Sequence, residues 1–163
     1  MPEAISNTSP LLYLYRIGVL DWLPKLFSEI WVPNAVIAEL MAGREKGYDV
    51  LNPGEYNWIQ IIDPISLPSE WLSLDLGAGE LAVMALALEN RSRIVLLDDA
   101  LARHIAQAAG VEVWGTLRIL LEAKSQGLAG AIGPLLSNLQ NAGMWISNEI
   151  RLRVLNLAGE KRQ

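Results

Sequence analysis

The chain has 163 residues, 52% of them hydrophobic, with no cysteine and a formal net charge of −5. That length and apolar content suit one ordinary domain with a substantial core, and the missing cysteine excludes disulfide scaffolds, thiolate metal sites and cysteine nucleophiles. An acidic chain does not draw a polyanion by its net field, so a nucleic-acid partner needs local basic groups or metal ions. With neither a secretory signal pattern nor an apolar run near the roughly 18 residues of a membrane span, a soluble cytoplasmic protein is expected.

Short strand-like runs alternate with helical ones in chain order. "EAIS" precedes the apolar helix-like "SPLLYLYRIGVL", and "EIWVP" precedes "NAVIAELMAG". "WIQIID" is followed, after a Pro-containing loop, by "GAGELAVMALALEN"; "RIVLL" runs into "DDALARHIAQAAG"; "VEVW" supplies a last strand. The alternation predicts an α/β fold with a parallel sheet covered by helices. "LAVMALAL" is apolar nearly all round, as in a helix packed on both sides. From Gly115 onward the pattern is helical, in "GTLRILLEAKSQG", "GPLLSNLQNAG" and "ISNEIRLRVLNLAG", each ended by a glycine where a helix C-cap is expected. Residues 43–57 and the terminal "GEKRQ" are the least ordered candidates.

In a parallel sheet all strand C-termini share one edge, where ligands usually bind. Asn7 after the first strand, Asp98 and Asp99 after "RIVLL", Glu80 in the first turn of the helix starting near Gly77, and Glu39 one and a half turns into its helix are all expected at that edge. Such a carboxylate cluster repels itself and raises its own pKa values unless cations are present. Oxygen-rich sites without His or Cys suit Mg²⁺ or Mn²⁺.

Plainer roles compete with each assignment. One of Asp98 and Asp99 serves as the N-cap of the next helix, and Glu80 is a favourable first-turn acid. Glu39 also reads as a solvated position on an amphipathic helix, and Asn7 and Ser9 as caps of the first helix. His104 is the sole histidine and reads as a surface or packing residue, which together with the missing G-x-S-x-G turn disfavours a Ser-His-Asp hydrolase. "GAG" at 77–79 is too short for a dinucleotide fingerprint, and no P-loop is present. The tryptophans at 22, 31, 58, 71, 114 and 145 are expected in the core or a dimer interface rather than against bases.

The segments "SNTSPLLYL", "VPNAVIAEL", "LGAGELAVMALAL" and "IVLLDDALARHIAQAAGVEVWGTLRILLEAK" resemble the successive motifs of PIN-domain proteins, and in particular the branch similar to VapC-type toxins of prokaryotic toxin–antitoxin pairs. The resemblance covers roughly residues 4–127, and residues 128–158 read as a C-terminal helical extension of one PIN-like domain. It implies a three-layer α/β/α fold, a Mg²⁺- or Mn²⁺-dependent endoribonuclease, an RNA substrate, a small antitoxin partner and a homodimer. Carried over position by position, the acidic site falls on Asn7, Glu39, Glu80 and Asp99, with Asp98 beside it and Ser9 in support. Metal-assisted phosphodiester hydrolysis is the implied reaction, with Glu39, Glu80, Asp98 and Asp99 as metal ligands and catalytic carboxylates and with Arg44, Lys46 and Arg103 as candidates for flanking phosphates. The chain departs from the family at Asn7, where aspartate is usual. An amide oxygen brings no charge and weakens divalent binding, so a catalytically impaired RNA- or protein-binding module is the alternative.

Overall fold

The computed structural model describes residues 1–70 and 75–160, so Trp71 and the last three residues of "GEKRQ" lie outside the described residues. Five strands form one parallel sheet in the order β3-β2-β1-β4-β5: β1 (Ala4–Ser6), β2 (Ile30–Val32), β3 (Ile59–Ile61), β4 (Ile94–Leu96) and β5 (Val113–Trp114). The central strands β1 and β4 are buried along their whole length and, Ser6 apart, apolar, as a sheet covered on both faces requires, whereas edge strand β3 leaves Gln60 and Ile61 exposed. The helices are α1 (Thr8–Arg16), α2 (Leu23–Leu26), α3 (Asn34–Glu45), α4 (Ala78–Glu89), α5 (Ala100–Ala108), α6 (Thr116–Ser125), α7 (Gly133–Asn141) and α8 (Asn148–Leu157). With helices covering the sheet, the fold is three-layer α/β/α.

Element order and position combine to place the site. The chain starts in the middle strand, builds outward through β2 and β3, then returns past β1 to lay down β4 and β5. Strands β1 and β4 are therefore hydrogen-bonded neighbours whose chains leave for different parts of the molecule, and a crevice opens at their C-terminal ends. Pairing continues one residue beyond the strand, where the Asn7 N–H donates to the Leu96 carbonyl at 3.0 Å. The opposite edge is closed by an ion cluster. Arg93 is buried there, pairs with Glu3 and Glu29 at 3.2 and 2.7 Å, and stacks 3.3 Å over the Trp31 ring.

Helix α4 crosses β1 and β4 and packs on α3. Every residue from Ala82 to Ala87 is buried, in keeping with its all-round apolar sequence. The three C-terminal helices end as their glycines predict, with Gly127, Gly143 and Gly159 at φ of +78°, +109° and +72°. These helices join the sheet in one core through Ile132, Leu136, Leu139, Ile146, Val154 and Leu155.

One expectation fails. Residues 43–57 are not a loose loop, because Val50, Leu51 and Pro53 are buried while Arg44 and Arg16 donate to the carbonyls of Val50 and Asp49 at 2.9 and 3.0 Å. Of "GEKRQ", the described residue Glu160 is tied to the fold. Glu160 accepts hydrogen bonds from Lys124 Nζ at 2.6 Å and from the Ile132 and Gly133 N–H groups at 2.7 and 3.0 Å. Its desolvation is outweighed by these donors, and its pKa falls from 4.5 to about 2.

Candidate active site

A cleft of about 890 Å³ opens at the C-terminal ends of β1 and β4 and takes in Asn7, Ser9, Glu39, Glu80, Asp98 and Asp99. Asn7 occupies the N-cap position of α1 with extended backbone, yet its side chain makes no capping bond. It is 4% exposed, and its Oδ1 is buried with no hydrogen-bond partner among the described residues. Capping does not account for it. An orphaned buried oxygen costs about 1–3 kcal/mol, which marks this one as an acceptor kept for something else.

Glu39 is held in place from both sides. Its Oε2 accepts from Thr8 Oγ1 at 2.6 Å and its Oε1 from the Gly79 N–H at 3.0 Å. The second contact explains "GAG": a methyl group at Gly79 would lie 2.8 Å from both Glu39 carboxylate oxygens. Only a bare backbone lets the start of α4 come so close. Glu80 supplies one half of a capping box by accepting the Gly77 N–H on Oε1 at 3.1 Å, and Gly77 has no side chain to reciprocate. Burial raises the Glu80 pKa against that hydrogen bond, and the charges of Asp99 and Glu39 raise it further.

The adjacent acids divide their labour. Asp99 caps α5, its Oδ2 accepting from the Ala102 N–H at 2.9 Å. Asp98 turns to α6, where its two oxygens accept from the Thr116 N–H and Oγ1, each at 2.7 Å. Burial raises the Asp98 pKa, with the two Thr116 bonds and the Arg103 charge pulling the other way. With both oxygens engaged, Asp98 is a brace between β4 and α6. Thr8, Thr116 and Gly79 were not legible as site residues, because each acts through a partner more than fifteen positions away in the chain. Ser9 lines the cleft, but the hydrogen bond to Glu39 comes from its neighbour Thr8.

The carboxylates expected to meet in one small volume share a wall of the cleft but do not converge fully. Among the described residues no three His, Cys, Asp or Glu side chains form a group able to hold a metal ion, because Glu39, Asp98 and Asp99 are each turned toward backbone or hydroxyl donors. Two acidic oxygens, Glu80 Oε2 and Asp99 Oδ1, accept no hydrogen bond among the described residues. Of the cations proposed for phosphate, Arg103 lines the cleft, whereas Arg44 and Lys46 do not. Arg118 and Arg153 line it instead. His104 is exposed on α5; Trp22, Trp31, Trp58 and Trp114 are buried or half-buried, and Trp145, 83% exposed, lies outside the core of the chain.

A family model, DUF3368, described as a PIN domain, matches residues 3–160. The chain belongs to the PIN-domain family. The match extends over the C-terminal helices as well as the sheet, and PIN domains are in general nucleases that use divalent metal ions. No curated protein and no solved structure matches the chain. Among the described residues no helix is long and apolar enough to cross a membrane.

The donor set suits such an ion. Mg²⁺ keeps several waters and is usually bound through one or two carboxylates together with substrate phosphate, so a preformed cage of three carboxylates is not required. The buried Asn7 Oδ1 and the two uncommitted acidic oxygens are hard donors of that kind.

Proposed function

We propose that this PIN domain is a Mg²⁺- or Mn²⁺-dependent endoribonuclease whose centre is built from Asn7, Glu39, Glu80 and Asp99. The observation that carries the reading is the unpartnered Oδ1 of Asn7, buried at the switch between β1 and β4 in a cleft walled by carboxylates. Asn7 Oδ1, Glu80 and Asp99 would hold the cation, with Glu39 near it, and the cation when bound supplies a Lewis acid that activates water and offsets phosphodiester charge. The residues of the chain do the rest. Thr8 and the Gly79 N–H fix Glu39, the Ala102 N–H fixes one oxygen of Asp99, and the Thr116–Asp98 brace sets the distance between β4 and α6. Burial, and then the charges of Asp99 and Glu39, raise the Glu80 pKa, the strain expected of carboxylates gathered where a cation would answer them.

The test is RNA cleavage by purified protein with Mn²⁺, its arrest by EDTA, and its loss in a Glu80→Gln variant of unchanged fold. No cleavage under any divalent metal would sink the enzyme reading. The second reading, a PIN domain that binds RNA or protein without cutting, is favoured by the missing charge at Asn7. Cleavage gained by Asn7→Asp would identify that position as the lesion. The narrower placement, as the VapC-type toxin of a toxin–antitoxin pair working as a cytoplasmic homodimer, rests on the sequence segments alone. Co-purification with a short protein encoded beside it, and sedimentation as a dimer at micromolar concentration, are its expected outcomes.

A further inference from the structure

The cleft has a second set of side chains drawn from a different part of the chain. The acidic residues stand on α3, on α4 and in the turn into α5, whereas Arg118 on α6, Trp145 between α7 and α8, and Arg153 on α8 line the same cavity. Helices α6 and α8 pack together, so these three belong to one side of the molecule.

Trp145 is not exposed because its segment is loose. The Met144 N–H donates to the Leu139 carbonyl at 3.0 Å, Gln140 Nε2 donates to the Ile146 carbonyl at 3.1 Å, and the Ile146 side chain is buried. Ser147 then caps α8 by accepting from the Ile150 N–H at 3.1 Å. Arg151 ties the two helices by donating to Gln140 Oε1 and Ser137 Oγ at 3.2 and 3.1 Å. A short segment pinned on both sides thus presents a large indole to water. Ordinary folding buries that surface.

The nearby guanidinium groups are equally available. Among the described residues Arg118 and Arg153 pair only with the i,i+4 carboxylates Glu122 and Glu149, each at 3.9 Å on the surface, and such pairs contribute little. The Arg118 guanidinium lies 4.6 Å from the Trp114 ring, which orients it. Arg103, deeper in the same cleft, has a buried Nε with no partner among the described residues. On a chain of net charge −5, two arginines that are weakly paired among the described residues, beside an outward indole, form a local exception suited to an anion that carries flat apolar rings.

We propose that Trp145, Arg118 and Arg153 form a platform for single-stranded RNA on the rim of the acidic cleft, with one unpaired base stacked on the indole and flanking phosphates held by the two arginines. This rests on the ribonuclease reading for its choice of polynucleotide. Stacking needs a base face free of its neighbours, which single strands provide and A-form duplexes hide. The platform selects unpaired substrate and carries it toward the carboxylates.

The test is fluorescence anisotropy of a labelled single strand of roughly 10 mixed-sequence ribonucleotides titrated with the full chain in EDTA, where binding is read without cleavage. Trp145→Ala is expected to weaken binding about 5- to 150-fold, with Trp145→Phe recovering most of the loss. Arg118→Gln and Arg153→Gln are each expected to lower the slope of log affinity against log salt by about 0.7. A duplex of the same sequence should bind more weakly and ignore Trp145→Ala. Because Trp145 is exposed, a Trp145→Ala protein with parental circular dichroism and unchanged RNA affinity would overturn the platform, as would a parent that binds no single strand. If Trp145→Ala instead turns a dimer into a monomer and leaves RNA affinity intact, the face belongs to a protein contact. Metal- and Glu80-dependent cleavage alongside an indifferent Trp145→Ala removes the platform alone. Trp145-dependent binding without cleavage under any metal removes the nuclease and leaves the platform standing.

Discussion

Replacing Asn7 with aspartate separates a metal ligand from a structural amide. Asn7 is 4% exposed, and its cleft already holds Glu39, Glu80 and Asp99, two of which raise the pKa of the third. A further anion in that place, with no cation to answer it, costs on the order of 3 kcal/mol, the scale of a buried charge left without its partner. For a chain of this size that corresponds to a melting temperature lower by roughly 6–12 °C in EDTA. Divalent metal should reverse the sign. If the carboxylate tightens Mn²⁺ binding tenfold, saturating Mn²⁺ stabilises the variant by about 1.4 kcal/mol more than the parent, or roughly 3–6 °C. Differential scanning fluorimetry in EDTA and across a Mn²⁺ series reads both quantities, and calorimetric titration reads the affinity directly. A variant that melts with the parent in EDTA would show that position 7 is not set among uncompensated charge. Equal Mn²⁺ shifts in the two proteins would show that Asn7 Oδ1 touches no ion.

Three further outcomes follow from named contacts. Glu80 has a raised pKa, so the folded state binds its proton more tightly than the unfolded chain does, and stability falls as pH rises from about 4.5 through the raised value. Glu80→Gln keeps an acceptor for the Gly77 N–H and removes that penalty, so it should melt higher than the parent at pH 7 in EDTA while losing its Mn²⁺ response; a lower melting point would contradict this. Gly79→Ala sits at a helical residue without positive φ, where alanine contributes up to about 1 kcal/mol, but its methyl would crowd the Glu39 carboxylate. Stability within about 1 kcal/mol of the parent together with at least a tenfold loss of cleavage is expected, and parental cleavage rates would refute the role given to Glu39. Glu160 has its pKa lowered from 4.5 to about 2, so its stabilisation is complete above the unfolded value and is lost as pH falls through that window. Glu160→Gln should cost about 1–3 kcal/mol at pH 7 in urea unfolding, with solvent screening setting the lower figure, and should flatten the parent's loss of stability between pH 4.5 and 2; an unchanged acid limb would refute the latch.

Local pattern was enough to read the longer helices and the five strands of this protein. Alternating short apolar runs and helical runs imply a parallel sheet, because the period of the apolar residues reports which face of each element is covered. Glycines 127, 143 and 159 each mark a helix end because only glycine adopts positive φ there without strain. From the parallel sheet it also follows that Asn7, Glu39, Glu80 and Asp99 lie toward one edge, since all strands end on the same side.

Strand order and side-chain direction were not legible. Nothing local distinguishes β1 as the central strand; that follows from which strand pairings bury the most apolar surface, a property of the whole chain. The short α2 was missed because four residues carry too little periodicity to read. Asp98 and Asp99 look equivalent side by side, yet one reaches forward to the Thr116 backbone and the other caps its own helix, because β5 brings the start of α6 within 2.7 Å of Asp98 alone. The same holds for Trp145. A tryptophan is expected in the core or a dimer interface, and the packing of α7 against α8 turns Ile146 inward and leaves the Trp145 indole in water. Composition and periodicity thus determined which elements form and at which edge chemistry would gather; long-range contacts decided which oxygens are bound to the protein's own donors and which remain for a ligand.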